Sequence, residues 1–175
     1  MRSIFFACLL SIFSLQTKAE VTSIELFRTI NERLSYMEDV ALFKVKNHLP
    51  IEDIQRENDV IDKAKVFASE QGFDSGIVKD FFRAQISVAK AIQYRYRADL
   101  LSQPSFRQPR DLQKEVRPAL IRLGNQIIEQ MAAYCKNHGE FQKTQFTEFN
   151  EAIIVKYVTE TDKQLLFRAL LKVKQ

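Results

Sequence analysis

The sequence predicts an all-α, single-domain helical bundle, and three observations carry that expectation. Only four glycines and four prolines punctuate 175 residues. The stretches between them are rich in Leu, Ile, Ala, Lys, Glu and Gln, with apolar residues recurring every three or four positions, as one face of a helix requires. Alternating β-branched runs joined by Asn-Gly or Asp-Gly turns, the signature of hairpins, do not occur. The expected architecture is three long helices around a pocket region, a fourth long helix and two shorter carboxy-terminal helices.

Residues 1–19 stand apart from this pattern. A basic start at Arg2, an apolar run from Ile4 to Leu15 and a small-residue exit at Thr17-Lys18-Ala19 have the anatomy of a leader peptide cut after Ala19. The run is shorter than the roughly 20 residues of a spanning helix, so the expectation is an exported protein, periplasmic or secreted, with no membrane segment once the leader is removed. Residues 20–175 then form the domain, with core motifs in 20–102 and a helical extension in 111–175. That length supports one sizeable core.

Each helix has a start or a stop in the sequence. The first is expected from Ile24 to Asn47, with Leu26, Ile30, Leu34, Met37, Ala41 and Val45 along one side and Pro50 beyond its end. The second is expected from Ile51 to Glu70, favoured by Glu52 and Asp53 near its positive end and stopped at Gly72. Asp74 suits the cap of a third helix reaching Leu101. The stretch "SQPSFRQPR" (102–110) has linker chemistry. Asp111 suits the cap of a fourth helix to Asn137, bent at Pro118 and closed by Gly139. Helices near 144–157 and 161–173 complete the chain.

Composition narrows the function. Of 26 basic side chains, Arg2 and Lys18 leave with the leader, so the formal net charge falls from +4 to +2. No basic stripe remains, which argues against nucleic acid as a partner. Cys8 also leaves, so Cys135 has no partner for an intrachain disulfide and reads as a buried helix cysteine. His48 and His138 form no ligand spacing with it, and no metal or other cofactor is expected.

The charges that interrupt apolar stripes are more informative. Arg33 and Lys44 are eleven residues apart, close to three turns of one helix, with α-carbons about 16 Å apart and Met37, Val40 and Ala41 between them. They can snorkel at the edge of the stripe, or close on a small ligand. Asp53, Arg56 and Glu57 share one face of the next helix, either as an exposed ion-pair surface or as part of the same site. Gln93 lies on an apolar line with Ile86 and Ala89, where a buried amide needs partners from backbone or ligand. Two or three cations, an amide and a few carboxylates suit a small dianion. No nucleophile–base pair and no phosphate-cradling glycine loop accompany them.

The order Arg33, ten residues, Lys44, eight residues, Asp53, two residues, Arg56-Glu57, then Gln93 in "AKAIQ" resembles the all-helical chorismate mutases. The leader and the added helical half resemble their exported subclass. The resemblance implies conversion of chorismate to prephenate by a Claisen rearrangement, without cofactor, in a homodimer. It implies Lys44 and Gln93 at the ether oxygen, Arg33 and Arg56 on carboxylates or the adjoining polar edge, Glu57 on the ring hydroxyl and Asp53 near the same hydroxyl and carboxylate. Ala89 stands where many relatives carry Ser or Thr, so a side-chain contact to a carboxylate is missing. An Arg on the fourth helix is also implied. The ungapped match sets Gln126 there, with Arg122 one turn earlier as a substitute and Arg117 further away. An isochorismate pyruvate lyase, or a non-catalytic exported helical binding protein, is the competing reading on the same fold. Because an amide donates without titrating, Gln93 implies turnover that persists through neutral pH.

Overall fold

Capping and side-chain competition, more than propensity, decide where the helices begin and end in the computed structural model, which describes residues 22–174. The expected leader cut at Ala19 lies outside the described residues. Helix α1 spans Ser23–Ser35 and α2 spans Met37–Lys46, where periodicity suggested one continuous helix. The break is a kink and not a reversal, since Tyr36 keeps right-handed helical angles (φ −73°, ψ −11°). Ser35 Oγ donates to Glu32 O at 2.7 Å, a side-chain bond that competes with the helical ladder and bends it.

Helix α3 (Ile54–Glu70) starts three residues later than expected because the Asp53 carboxylate accepts from Arg56 N at 3.1 Å, satisfying one of the free amides of the first turn. Helix α4 (Ser75–Ser102) is capped by Asp74, whose Oδ1 accepts from Gly76 N at 2.6 Å. At about 1.5 Å per residue this helix is about 42 Å long, and it packs along α2 and α3.

The stretch after α4 is a strap fastened to the kink. Asp39, 4% exposed, accepts from Arg107 Nη1 at 2.5 Å and Arg110 Nε at 2.6 Å. Arg110 also lies over the Tyr36 ring, 4.1 Å from its centroid. Lys46 Nζ donates to Arg107 O at 2.7 Å. The strap leads into a π-helical turn, Leu112–Val116, capped by Asp111, and then helix α5, Arg117–His138. In this turn Val116 N bonds to Asp111 O and Arg117 N to Leu112 O, each five residues back. Pro118 has no N–H to continue the ladder, and the wider turn relieves its fit.

Beyond a 3₁₀ turn at Lys143–Gln145, α6 (Phe146–Ala152) stops earlier than the expected 157. Asn31 Oδ1 accepts from Ile154 N (2.9 Å) and Val155 N (3.2 Å), giving those amides tertiary partners in place of helical ones. Helix α7 runs Glu160–Leu170. Phe27 of α1 meets Phe149 of α6 edge-on, with centroids 5.1 Å apart, and Phe167 of α7 at 6.5 Å. One apolar core therefore runs from Leu26 to Val173. Cys135 lies in it, its thiol pushed up to about 11 by burial and by Glu140, so at neutral pH it is a protonated packing group. Among the described residues no helix is long and apolar enough to cross a membrane.

Two acidic side chains tie this fold to pH. Burial works to raise the carboxyl pKa of Asp39 and of Asp162. Hydrogen bonds from Arg110 and Arg107 on Asp39, and from Arg95 and Thr159 on Asp162, outweigh it and leave both below the usual carboxylate range. A depressed folded-state pKa contributes stability above the unfolded value of about 4, and that contribution is lost as pH falls through the folded value. Urea denaturation should therefore show no loss from these groups between pH 5 and 7 and a clear fall below about pH 4, reduced in Asp39→Asn. A pH-independent midpoint down to pH 3 would contradict this account.

Candidate active site

The kink, the α3 cap and the π turn converge on one cavity of about 150 Å³ between α1, α2, α3, α4 and α5. Met37, Val40, Val60, Ile86, Leu112 and Ile128 supply apolar walls. Into the same hollow face Arg33, Lys44, Asp53, Arg56, Glu57, Ala89 and Gln93, so seven of the residues singled out in the sequence share one space.

Arg33 is 5% exposed. Its Nη1 donates to Gln85 Oε1 at 2.8 Å. Burial, with Arg56 adding like-charge repulsion, brings its pKa down to about 10, which leaves it cationic at neutral pH. Lys44 Nζ donates to Ile51 O at 2.5 Å. Burial lowers its pKa, against the opposing pull of Asp53 and Glu57 and with a further lowering from Arg117. The loop between α2 and α3 thus aims the ammonium with a backbone carbonyl, a partner that carries no charge.

Gln93, also 5% exposed, donates through Nε2 to Ala89 O at 3.2 Å. Met37 Sδ lies 3.6 Å from the same nitrogen, a weak acceptor. Glu57 is held at both oxygens, accepting from Asp53 N at 3.5 Å and Lys90 Nζ at 3.1 Å. Lys90 also reaches Glu52 at 2.8 Å.

The fourth-helix expectation meets a different geometry. Arg122 and Gln126 lie outside the cavity, along a shallow depression with Pro118 and Glu129. Arg122 makes a loose 3.7 Å pair with Glu32 on the surface. Arg117 lines the cavity instead, with Leu120, Gly124 and Asn125. Five residues around an α-helix is a rotation of about 140°, so Arg117 and Arg122 cannot share a direction. Arg117, Arg122 and Gln126 all lie on α5, beyond the π turn, so the packing of that helix decides which of them faces the cavity. Lys63 and Lys90 also line the cavity and were not singled out in the sequence. Lys90 was within reach of the pattern, standing three residues before Gln93. Among the described residues no group of three or more His, Cys, Asp or Glu is arranged to hold a metal ion.

Residues 18–94 match the family described as chorismate mutase type II. The chain is 42% identical over 146 residues to the secreted chorismate mutase of Yersinia pestis, covering 83% of this chain and 78% of the relative. It is 34% identical over 147 residues to the monofunctional chorismate mutase of Enterobacter agglomerans, covering 83% and 80%. The crystal structure of the Yersinia pestis protein superposes with a TM-score of 0.80 over 86% of this chain and 97% of that one, at 40% identity. A chorismate mutase structure from Burkholderia phymatum, 23% identical, superposes at 0.71 over 85% and 93% and shares the fold. A chain so similar to these relatives over most of its length, with the same all-helical fold, belongs to the chorismate mutase type II family.

Proposed function

We propose that the chain converts chorismate to prephenate, and that the gathering of Arg33, Lys44, Arg56 and Gln93 around one largely apolar hollow is the observation that carries this reading. The rearrangement needs no proton transfer and no covalent intermediate. The ether C–O bond breaks as a C–C bond forms, and negative charge grows on the ether oxygen. A cation and an amide donor at that oxygen stabilise the transition state more than the ground state. Lys44 and Gln93 take this role, since both line the cavity, neither ends in an ion pair, and the amide nitrogen of Gln93 can exchange its weak Met37 Sδ contact for the substrate oxygen.

Arg33, Arg56 and Arg117 grip the two carboxylates and hold the ring in its folded, reactive conformer. Glu57, oriented by Lys90 and the Asp53 amide, accepts from the ring hydroxyl. Asp53 acts mainly by starting α3, which aims Arg56 and Glu57. Ala89 contributes its carbonyl to Gln93. Chorismate consumption with appearance of prephenate, measured on purified protein, tests the reading. Release of pyruvate from isochorismate without prephenate formation would replace it with the lyase.

Arg117, and not Arg122, is read as the fourth-helix contact. Arg117→Ala should raise KM by about 10- to 100-fold, the scale of a charge-assisted hydrogen bond of about 1.5–3 kcal/mol, while Arg122→Ala changes it less than twofold. The reverse order would overturn this choice. The pH profile follows from Lys44 and Gln93. With an amide donor that does not titrate and a lysine whose pKa is lowered, kcat/KM should stay level from pH 6 to 8. It then declines on the alkaline side as free Lys44 loses its proton, earlier than for an exposed lysine. Collapse near pH 6 would remove Gln93 from its role.

The leader at 1–19 and the similarity to a secreted relative support an exported, periplasmic enzyme, testable by sequencing the amino terminus of the exported form for a start at Glu20. A homodimer is the oligomeric state expected of the family, and light scattering of the purified protein would decide it.

A further inference from the structure

Arg33 is the only Lys or Arg in the buried class among the described residues, and none of the ion pairs there involves it. A buried arginine ordinarily meets a carboxylate, because an isolated charge away from water is strongly penalised. Here its partner is a neutral amide. Gln85 is 0% exposed, stands outside the cavity lining, and accepts from Arg33 Nη1 at 2.8 Å. On another side the Phe82 ring lies 5.6 Å from the guanidinium carbon. Arg33 Nε and Gln85 Nε2 find no protein acceptor. The guanidinium is therefore fixed in place by groups of no net charge.

We propose that Gln85 is a positioning residue that orients Arg33 while leaving its full positive charge for a substrate carboxylate. The inference rests on the chorismate mutase reading above and deepens it. Glutamate differs from glutamine at this position by one terminal group and would fit the same space. It would form a charge-assisted, two-pronged pair with Arg33 and use the Nε–H that now has no acceptor. The same pairing would cancel the field that Arg33 presents to a dianion. Gln85 thus separates two tasks that a carboxylate would merge, holding the cation and neutralising it. Because Arg33 grips a carboxylate in the ground and transition states alike, losing its charge acts on KM more than on kcat.

The test compares Gln85→Glu, Gln85→Leu and wild type for chorismate turnover and thermal midpoint. Gln85→Glu is expected to raise KM by about tenfold, the effect of one unit in an ionisation or binding equilibrium, with kcat changed less than about threefold. Gln85→Leu keeps the charge of Arg33 and loses only its orientation, so its KM should rise less, although its thermal midpoint falls more. A purely structural Gln85 predicts the opposite order, with loss of activity following loss of stability. The inference is overturned if Leu raises KM more than Glu, or if neither variant changes it. Should the Glu variant fail to fold, the Leu variant decides, through a raised KM in support or a wild-type KM against. Failure of wild type to consume chorismate would remove the functional reading itself, whereas an active wild type with unchanged variants removes only the role of Gln85.

Discussion

Lys44→Ala should reduce kcat by roughly 10²–10³-fold, equivalent to about 3–4 kcal/mol of transition-state stabilisation, the scale of removing one donor from an oxyanion site. The ammonium is partly withdrawn from water and aimed by the Ile51 carbonyl at 2.5 Å, so its orientation is fixed before charge develops on the substrate. A solvent-exposed lysine would contribute far less, because water screens it. Arg33, Arg56 and Arg117 would still bind the dianion in the variant, so KM should move less than kcat. Steady-state loss of chorismate absorbance at several substrate concentrations separates the two constants. Turnover within a factor of three of wild type would exclude Lys44 as the group that stabilises the breaking ether bond.

Phe27→Ala should lower the unfolding free energy by about 3–5 kcal/mol, the cost of truncating a fully buried aromatic and leaving its cavity partly unfilled. Phe27 is 0% exposed and meets Phe149 and Phe167 edge-on. Edge-to-face pairs add about 0.5–1.5 kcal/mol beyond area burial. The ring joins α1 to α6 and α7, and six residues further along α1 stands Arg33. Loosening this contact should therefore weaken substrate binding as well as the fold. Urea denaturation of the variant gives the stability change. A loss below about 1 kcal/mol, as for a substitution away from the core, would mean that the carboxy-terminal helices add little to the packing of α1.

Much of this molecule can be read in its amino acids where the controlling interaction is local. Asp74 and Asp111 are each followed at once by an apolar or small residue, and each caps the helical turn expected of it. Gly72 and Gly139, both at φ +79°, mark chain reversals where other residues would be strained. The cavity residues from Arg33 to Gln93 were legible because helices α1 to α4 hold them at regular spacing. Tertiary competition was not legible. Asn31 draws Ile154 and Val155 out of a helix 123 residues away, and nothing near Ala152 announces that end. Ser35 gives only a weak hint of the kink. Arg117 was set further away than Arg122 because the choice among positions of α5 depends on how that helix packs against α1 and α3, which periodicity does not report.

The π turn makes chain length a determinant of how the strap meets the fourth long helix. Its one surplus residue lies between Asp111, fixed beside the strap on α2, and the body of α5, fixed by the core. Arg117 opens α5 and stays with it, so deleting a single residue from 112–116 would rotate the strap by about 100° relative to that helix and pull the Arg107–Asp39–Arg110 fastening apart.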